Sequence, residues 1–227
     1  MAIDEQAGMA RMLEDIRREA YYTADETGLP AFHAAVMAAM AAVPRLRFVP
    51  QGLESAAFDN GPLPIGHGQT ISQPYIVALM SELLQVGRES VVLEVGTGSG
   101  YQAAVLAELV RKVYSLELVG ALADEAAQRL QQLGYHNVEV RQGDGYHGWP
   151  EHAPYDGIIV TAAAPHVPKD LIDQLRNGAR LVIPVGEQFG PQQLLVVTKH
   201  ADRIEQRRIL PVAFVPLRHP APHPSAG

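Results

Sequence analysis

Gly96, Gly98 and Gly100 in "VLEVGTGSGYQ" stand between an apolar run and a helix start. A buried strand that turns on glycine into a helix leaves backbone amides free at the carboxyl end of a sheet, where a polar ligand can approach them. The spacing G-x-G-x-G followed by Tyr101 lacks the last small residue of the dinucleotide fingerprint G-x-G-x-x-G, which weakens a nicotinamide or flavin reading. A carboxylate follows: Glu117 closes the next apolar run, "VYSLE", 117 − 100 = 17 residues beyond the last glycine. An acid at that place can accept both hydroxyls of a ribose. Asp144 in "RQGDG" follows the third run, between glycines that permit a sharp turn. Each feature alone has an ordinary explanation: a steric turn, a surface glutamate, an Asp-Gly turn. Polar ends on three successive strands, taken together, define one crevice.

The elements that must position these groups are legible from periodicity. Candidate strands are "VVLEV", "KVYSLE", "NVEVRQ", "YDGIIVT" and "ARLVIPV", separated by helical patterns near Gly100 to Val110, Ala121 to Leu133 and Pro168 to Arg176. Such alternation predicts parallel strands with crossover helices, an α/β, doubly wound, mostly parallel sheet. After Gly190 come "QQLLVVTK", "RIEQRRIL" and "AFVPL", the first two joined by a short "HAD" turn, which predicts an antiparallel C-terminal edge. Helical patterns over Glu5 to Tyr22 and Pro30 to Ala42 form an N-terminal extension, and a helix restarts at Pro74. Between them lies "GPLPIGHGQTISQP", Gly61 to Pro74, which cannot be a regular helix because proline removes a backbone donor and glycine costs entropy there.

Composition removes several classes. A chain of 227 residues with 47% hydrophobic residues supports one sizeable core. The formal charge of 18 − 25 = −7 gives no basic footprint for a phosphate backbone, which argues against a nucleic-acid partner. The absence of cysteine excludes disulfides, thiolate metal sites and cysteine nucleophiles. His147 and His152 are five apart and His219 and His223 flank prolines, so no catalytic metal is expected. No G-x-S-x-G occurs, Ser99 lying one position off that pattern, which argues against a serine hydrolase. The acidic amphipathic start and the short apolar run "AAVMAAMAAV" give neither a signal-peptide block nor a membrane span, so a cytoplasmic protein without a membrane partner is expected.

Over nearly its whole length the sequence resembles the protein-L-isoaspartate O-methyltransferases, which depend on S-adenosylmethionine and have the class I methyltransferase, Rossmann-like fold. The resemblance is carried by "AMAAVPRLRFVP", "DNGPLPIGHGQTISQPYIVALM", "VLEVGTGSGYQAA", "GDGYHGW", "YDGIIVTAAAP", "GARLVIPVGE" and "FVPL". The glycine turn marks the broad fold, whereas "TISQP" is specific to the family. It implies a protein-L-isoaspartate (D-aspartate) O-methyltransferase that transfers methyl to the α-carboxylate of L-isoaspartyl residues in damaged proteins, with S-adenosyl-L-homocysteine as product and isoaspartyl peptides as partners of a monomer. It further implies that the Gly/Pro segment is a lid over the cofactor and that Ser72 is the active-site serine. Carried over by position, the cofactor set is Thr70, Ile71, Ser72, Glu94, Gly96, Thr97, Gly98, Ser99, Gly100, Glu117, Asp144, Gly145 and Thr161. The substrate set is Ile71, Ala162, Val215, Pro216, Leu217 and Arg218. The chain departs from the family pattern at Val119-Gly120 and in the additional alanine of "AAAP". The organisation implied is one catalytic domain over residues 1–217, with helices and lid in 1–73, the cofactor-binding core and last strands in 74–217, and a loose tail over 218–227.

The chemistry agrees with what is missing. A carboxylate nucleophile has a pKa of about 3.5 to 4 and is already ionised at pH 7, so no general base is needed. Two rivals stay open at the level of residues: a methyltransferase of the same fold acting on a small molecule or nucleic acid, and a module that binds an adenosine ligand without catalysis.

Overall fold

The computed structural model describes residues 4–187 and 190–220. Seven strands form the main sheet: β3 (Val91–Val95), β4 (Lys112–Glu117), β5 (Val138–Gln142), β6 (Tyr155–Val160), β7 (Leu175–Gly186), β8 (Gln192–Lys199) and β9 (Ile204–Val212). Their spatial order is β5-β4-β3-β6-β7-β8-β9. Every pair from β5 to β7 is parallel, and β8 and β9 add antiparallel to the β7 edge. The chain runs outward from β3 to β5 and then returns to β6, so the order reverses between β3 and β6. In doubly wound sheets the ligand crevice opens beyond the carboxyl ends of the strands at such a point.

Both faces of the parallel strands are covered, which is why they read as continuous apolar runs. Val92, Ile159 and Val182 face a core shared with the helices α1 (Glu5–Tyr22), α3 (Ala34–Ala42), α4 (Pro74–Leu84) and α5 (Tyr101–Ala107). Leu93, Val95, Ile158 and Val160 face the opposite core, with Trp149, Tyr155 and Leu171 of α7 (Lys169–Asp173). Met12 and Ile16 of α1 are fully buried, so the N-terminal extension is part of the core and not an appendage. The remaining helices are α2 (Ala24–Thr27) and α6 (Gly120–Gln132). No helix of the described residues is long and apolar enough to cross a membrane.

Three expectations are corrected, and a fourth segment gains a definite form. The helix anticipated from Pro30 begins at Ala34, because the amide and ring of His33 are held by Glu82 outside the helical turn. The helix anticipated over Pro168 to Arg176 is confined to Lys169–Asp173, since Leu175 already pairs with Tyr155 as the start of a β7 longer than "ARLVIPV". "AFVPL" is no ladder strand: Pro216 makes a single bridge to Ala163, and Phe214 is fastened at both backbone groups by the Gln192 amide. The Gly/Pro segment folds as a hairpin, β1 (Leu63–Gly66) against β2 (Gln69–Ile71), with left-handed backbone at Gly66, His67 and Gly68 making the turn. Of the closing segment, 221–227 lies outside the described residues, while His219 stacks on Tyr146 at 4.1 Å.

Candidate active site

Strand register places the site. Val95 is level with Leu116 on one side and Val160 on the other, so β3, β4 and β6 end together. Beyond Val95 the chain takes positive φ at Gly96 (+99°) and Gly98 (+53°), and the amides of Gly96 and Thr97 both donate to the Leu116 carbonyl. A Cβ on Gly96 would lie 2.3 Å from Thr161 Oγ1, so side-chain size as well as φ requires glycine here. At Gly145 size alone requires glycine, since a Cβ there would meet Val95 Cγ1 at 2.3 Å.

Glu117 faces this turn. Its Oε2 accepts the Gly98 amide at 2.8 Å and its Oε1 the Val119 amide at 3.0 Å. Each carboxylate oxygen retains a further lone pair for a ligand hydroxyl. Thr161 Oγ1 donates to the Gly96 carbonyl at 2.6 Å and closes the β6 side. The hairpin lies over the top, with Ile65 Cδ1 3.3 Å from the position a Gly98 Cβ would take.

These walls form a cavity lined by Thr70, Gly96, Gly98, Glu117, Gly145, Thr161, Ala162 and Val215 through Arg218. His67, Gln69, Leu118, Val119 and Gly143 line it as well and were not anticipated. The signal for the last three was available, since they directly follow β4 and β5 at the crevice; His67 and Gln69 come from a hairpin hidden by its prolines and glycines. Ile71, Ser72, Thr97 and Ser99 line a smaller cavity of about 310 Å³ between the hairpin and the glycine turn. A third cavity of about 1140 Å³ opens beside Ser72, walled by Glu19, Gln73, Tyr75 and the segment Leu210 to Phe214. Thr70 lines all three, so it stands where they meet.

Three anticipated contacts lie elsewhere. Glu94 does not reach the cavity: fully buried in β3, it binds the Ser115 hydroxyl through Oε2 and leaves Oε1 without a partner. Ser115 in turn bonds the Thr97 hydroxyl at 2.5 Å, so Glu94 supports the glycine turn from beneath. Burial, resisted by the Ser115 bond, pushes its pKa up to about 8. Gly100 starts α5, and a Cβ there would press on Leu130 of α6 at 3.2 Å. Asp144 lines a separate recess with Leu118, Gln142, Gly143 and Pro220. Its oxygens accept the Tyr146 amide and bond the His219 ring, each at 2.9 Å.

Ser72 precedes α4 but does not cap it: Gln73 is the cap residue, and the first-turn amide of Tyr75 donates to Asn60 Oδ1 at 3.1 Å. The Ser72 hydroxyl makes no hydrogen bond among the described residues, whereas its carbonyl accepts Arg45 Nη2 at 2.8 Å. The arrangement is thus a pocket with one carboxylate beside a glycine turn, joined to a roomier cleft by a short polar stretch with a free hydroxyl. Such a pocket can hold a cationic or ribose-bearing ligand on one side while a second reactant enters from the other.

Comparison with known proteins covers most of the chain. Residues 11–221 match the family model described as protein-L-isoaspartate(D-aspartate) O-methyltransferase. A protein-L-isoaspartate O-methyltransferase 2 of Syntrophobacter fumaroxidans is 59% identical over 219 residues, covering 95% of this chain and 89% of that one. The Polaromonas protein of the same description is 60% identical over 207 residues, covering 91% and 98%. A Plasmodium falciparum structure described as a beta-aspartate methyltransferase in complex with S-adenosyl-L-homocysteine superposes with a TM-score of 0.75 at 25% identity, covering 91% of this chain and 96% of that one.

Proposed function

The chain belongs to the protein-L-isoaspartate(D-aspartate) O-methyltransferase family, and from that premise we propose how its joined cavities divide the work. The reaction is transfer of a methyl group from S-adenosylmethionine to the α-carboxylate of an L-isoaspartyl residue in a damaged protein, with S-adenosyl-L-homocysteine as the other product. The observation that carries the division is the meeting of the cavities at Thr70, with Ser72 beside it.

The first cavity fits the cofactor. Its walls bring the Glu117 carboxylate beside backbone that packs closely at Gly96 and Gly145, where a Cβ would strike Thr161 and Val95. In this reading Gly96 to Ser99 hold the methionine part, Glu117 the ribose, and Gly145 the adenine, with Asp144 in the recess that adjoins the cavity at Leu118 and Gly143. Thr70, Ile71 and Ser72 close over the reacting centre. Bound there, S-adenosylmethionine supplies a methyl group on a positively charged sulfur, which a carboxylate neutralises on taking the methyl.

The chain's own residues then have three tasks. Ser72 donates its otherwise unengaged hydroxyl to the substrate carboxylate and orients it. The hairpin excludes water, which favours a step that destroys charge. Segment 210–218 lines the cleft with its first half and the cofactor cavity with its second, and so guides the peptide from one to the other. No residue has to remove a proton, because the carboxylate is ionised at neutral pH. We propose further that the protein acts as a monomer in the cytoplasm.

The test is repair itself. An isoaspartyl peptide incubated with enzyme and S-adenosylmethionine should convert through a methyl ester and succinimide to a mixture containing the normal aspartyl peptide, resolved by chromatography. Accumulation of neither succinimide nor aspartyl product, with an active cofactor site, refutes the substrate assignment.

A further inference from the structure

Arg45 is fully buried, in the 3-10 turn Arg45–Phe48, and pairs with no carboxylate among the described residues. Its Nε donates to the Ala57 carbonyl at 2.9 Å and its Nη2 to the Ser72 carbonyl at 2.8 Å. The guanidinium carbon lies 4.6 Å from the centre of the Tyr101 ring. Nη1 has no partner.

Burying a cation without a counter-ion is expensive, and an aliphatic side chain would pack such a site at lower cost. What a guanidinium offers instead is direction, because its planar fork fixes two acceptors relative to one another. Here the two are Ala57, buried in the scaffold, and Ser72, at the join between β2 and α4. Among the described residues the other ties at that join fall beyond Ser72: the Gln73 side chain reaches Glu19, and the Tyr75 amide donates to Asn60 Oδ1 at 3.1 Å, so the Ser72 backbone itself is held by Arg45. The unpartnered Nη1 fits the same account, since the orientation satisfies the two carbonyls and the ring and not all five donors.

We propose that Arg45 is a positioning residue for methyl transfer, fixing the Ser72 backbone from inside the protein and thereby aiming the Ser72 hydroxyl at the substrate carboxylate. This rests on the reading of Ser72 given above and goes beyond it, because it names what holds that hydroxyl in place. Arg45 lies outside the three cavities and touches neither reactant.

A double-mutant cycle tests it. Arg45→Lys keeps the charge and loses the fork. It should lower kcat on an isoaspartyl peptide about tenfold, while the Kd for S-adenosyl-L-homocysteine by calorimetry stays within about threefold. If Arg45 acts through Ser72, the same substitution in a Ser72→Ala background should cost less than about twofold. An equal loss in both backgrounds, or unchanged kcat in Arg45→Lys, overturns the proposal. Undiminished turnover in Ser72→Ala overturns the reading of Ser72 and this proposal with it, whereas a slow Ser72→Ala beside a normal Arg45→Lys overturns this proposal alone. Should Arg45→Lys fail to fold, Tyr101→Leu removes the platform under the guanidinium with both donors retained. It should cost about threefold in kcat, again only when Ser72 is present; a loss that persists in Ser72→Ala counts against the mechanism.

Discussion

Two glutamates on neighbouring strands show how position decides what a carboxylate does. Glu117 ends β4 and points at turn amides, with lone pairs to spare. Glu117→Ala should weaken cofactor binding by about 1.5 to 3 kcal/mol, the range for a hydrogen bond to a charged group. Calorimetry would check this, beside a melting temperature expected to move little. Glu94, one strand away, is sealed in the sheet and pushed up to about 8 from an ordinary 4.5. Between those values the folded protein holds a proton that the unfolded chain has released, so this group makes stability fall as pH rises through the window. Glu94→Gln should flatten that fall, with its relative advantage growing from pH 5 to pH 8 in denaturant melts; parallel curves for the two proteins would contradict the assignment. The sequence distinguishes the two acids poorly. An acid inside an apolar strand and one at its mouth look alike in a run such as "VLEV", whereas the glycines announce themselves because positive φ and close approach admit little else.

At the level of elements, alternation of apolar runs and helical periods was enough to read the parallel core. Such strands are buried on both faces and carry the signal in every residue. The hairpin was not legible, because its prolines and glycines conceal a two-stranded ladder of only a few residues. "AFVPL" misled for the opposite reason: it has strand composition, yet Phe214 is held by a side-chain amide in place of a neighbouring strand. The hairpin's grip on the site runs through Ile65, which packs over Gly98 and is itself only partly buried. Ile65→Ala should therefore raise the cofactor Kd about three- to tenfold, while the melting temperature falls by no more than a few degrees, the lost burial being a fraction of the roughly 2 to 5 kcal/mol seen for core positions. A large fall in melting temperature with unchanged Kd would make Ile65 a core residue and remove the hairpin from the cofactor site.

Across the whole molecule, the N-terminal helices, the hairpin and the last strand converge on one place. Glu19 of α1 accepts Gln73 beside Ser72, and Thr23 bonds the Tyr75 hydroxyl at 2.5 Å, so the first helix braces the lid's anchor as well as burying its own apolar stripe. These long-range ties were beyond sequence reasoning, which sees periodicity along the chain but not which polar tips meet across it. The central claim is that this assembly presents the α-carboxylate of an isoaspartyl residue to the cofactor's methyl group. In the normal aspartyl isomer the free carboxylate sits on the side chain and the main chain is shorter by one methylene, a displacement able to remove a group from attack geometry at a cost of about 10²-fold. The most direct measurement is labelled methyl transfer from S-adenosylmethionine to two peptides identical except for that linkage. The account predicts at least about a hundredfold higher kcat/KM for the isoaspartyl peptide. Equal labelling of the two would contradict it.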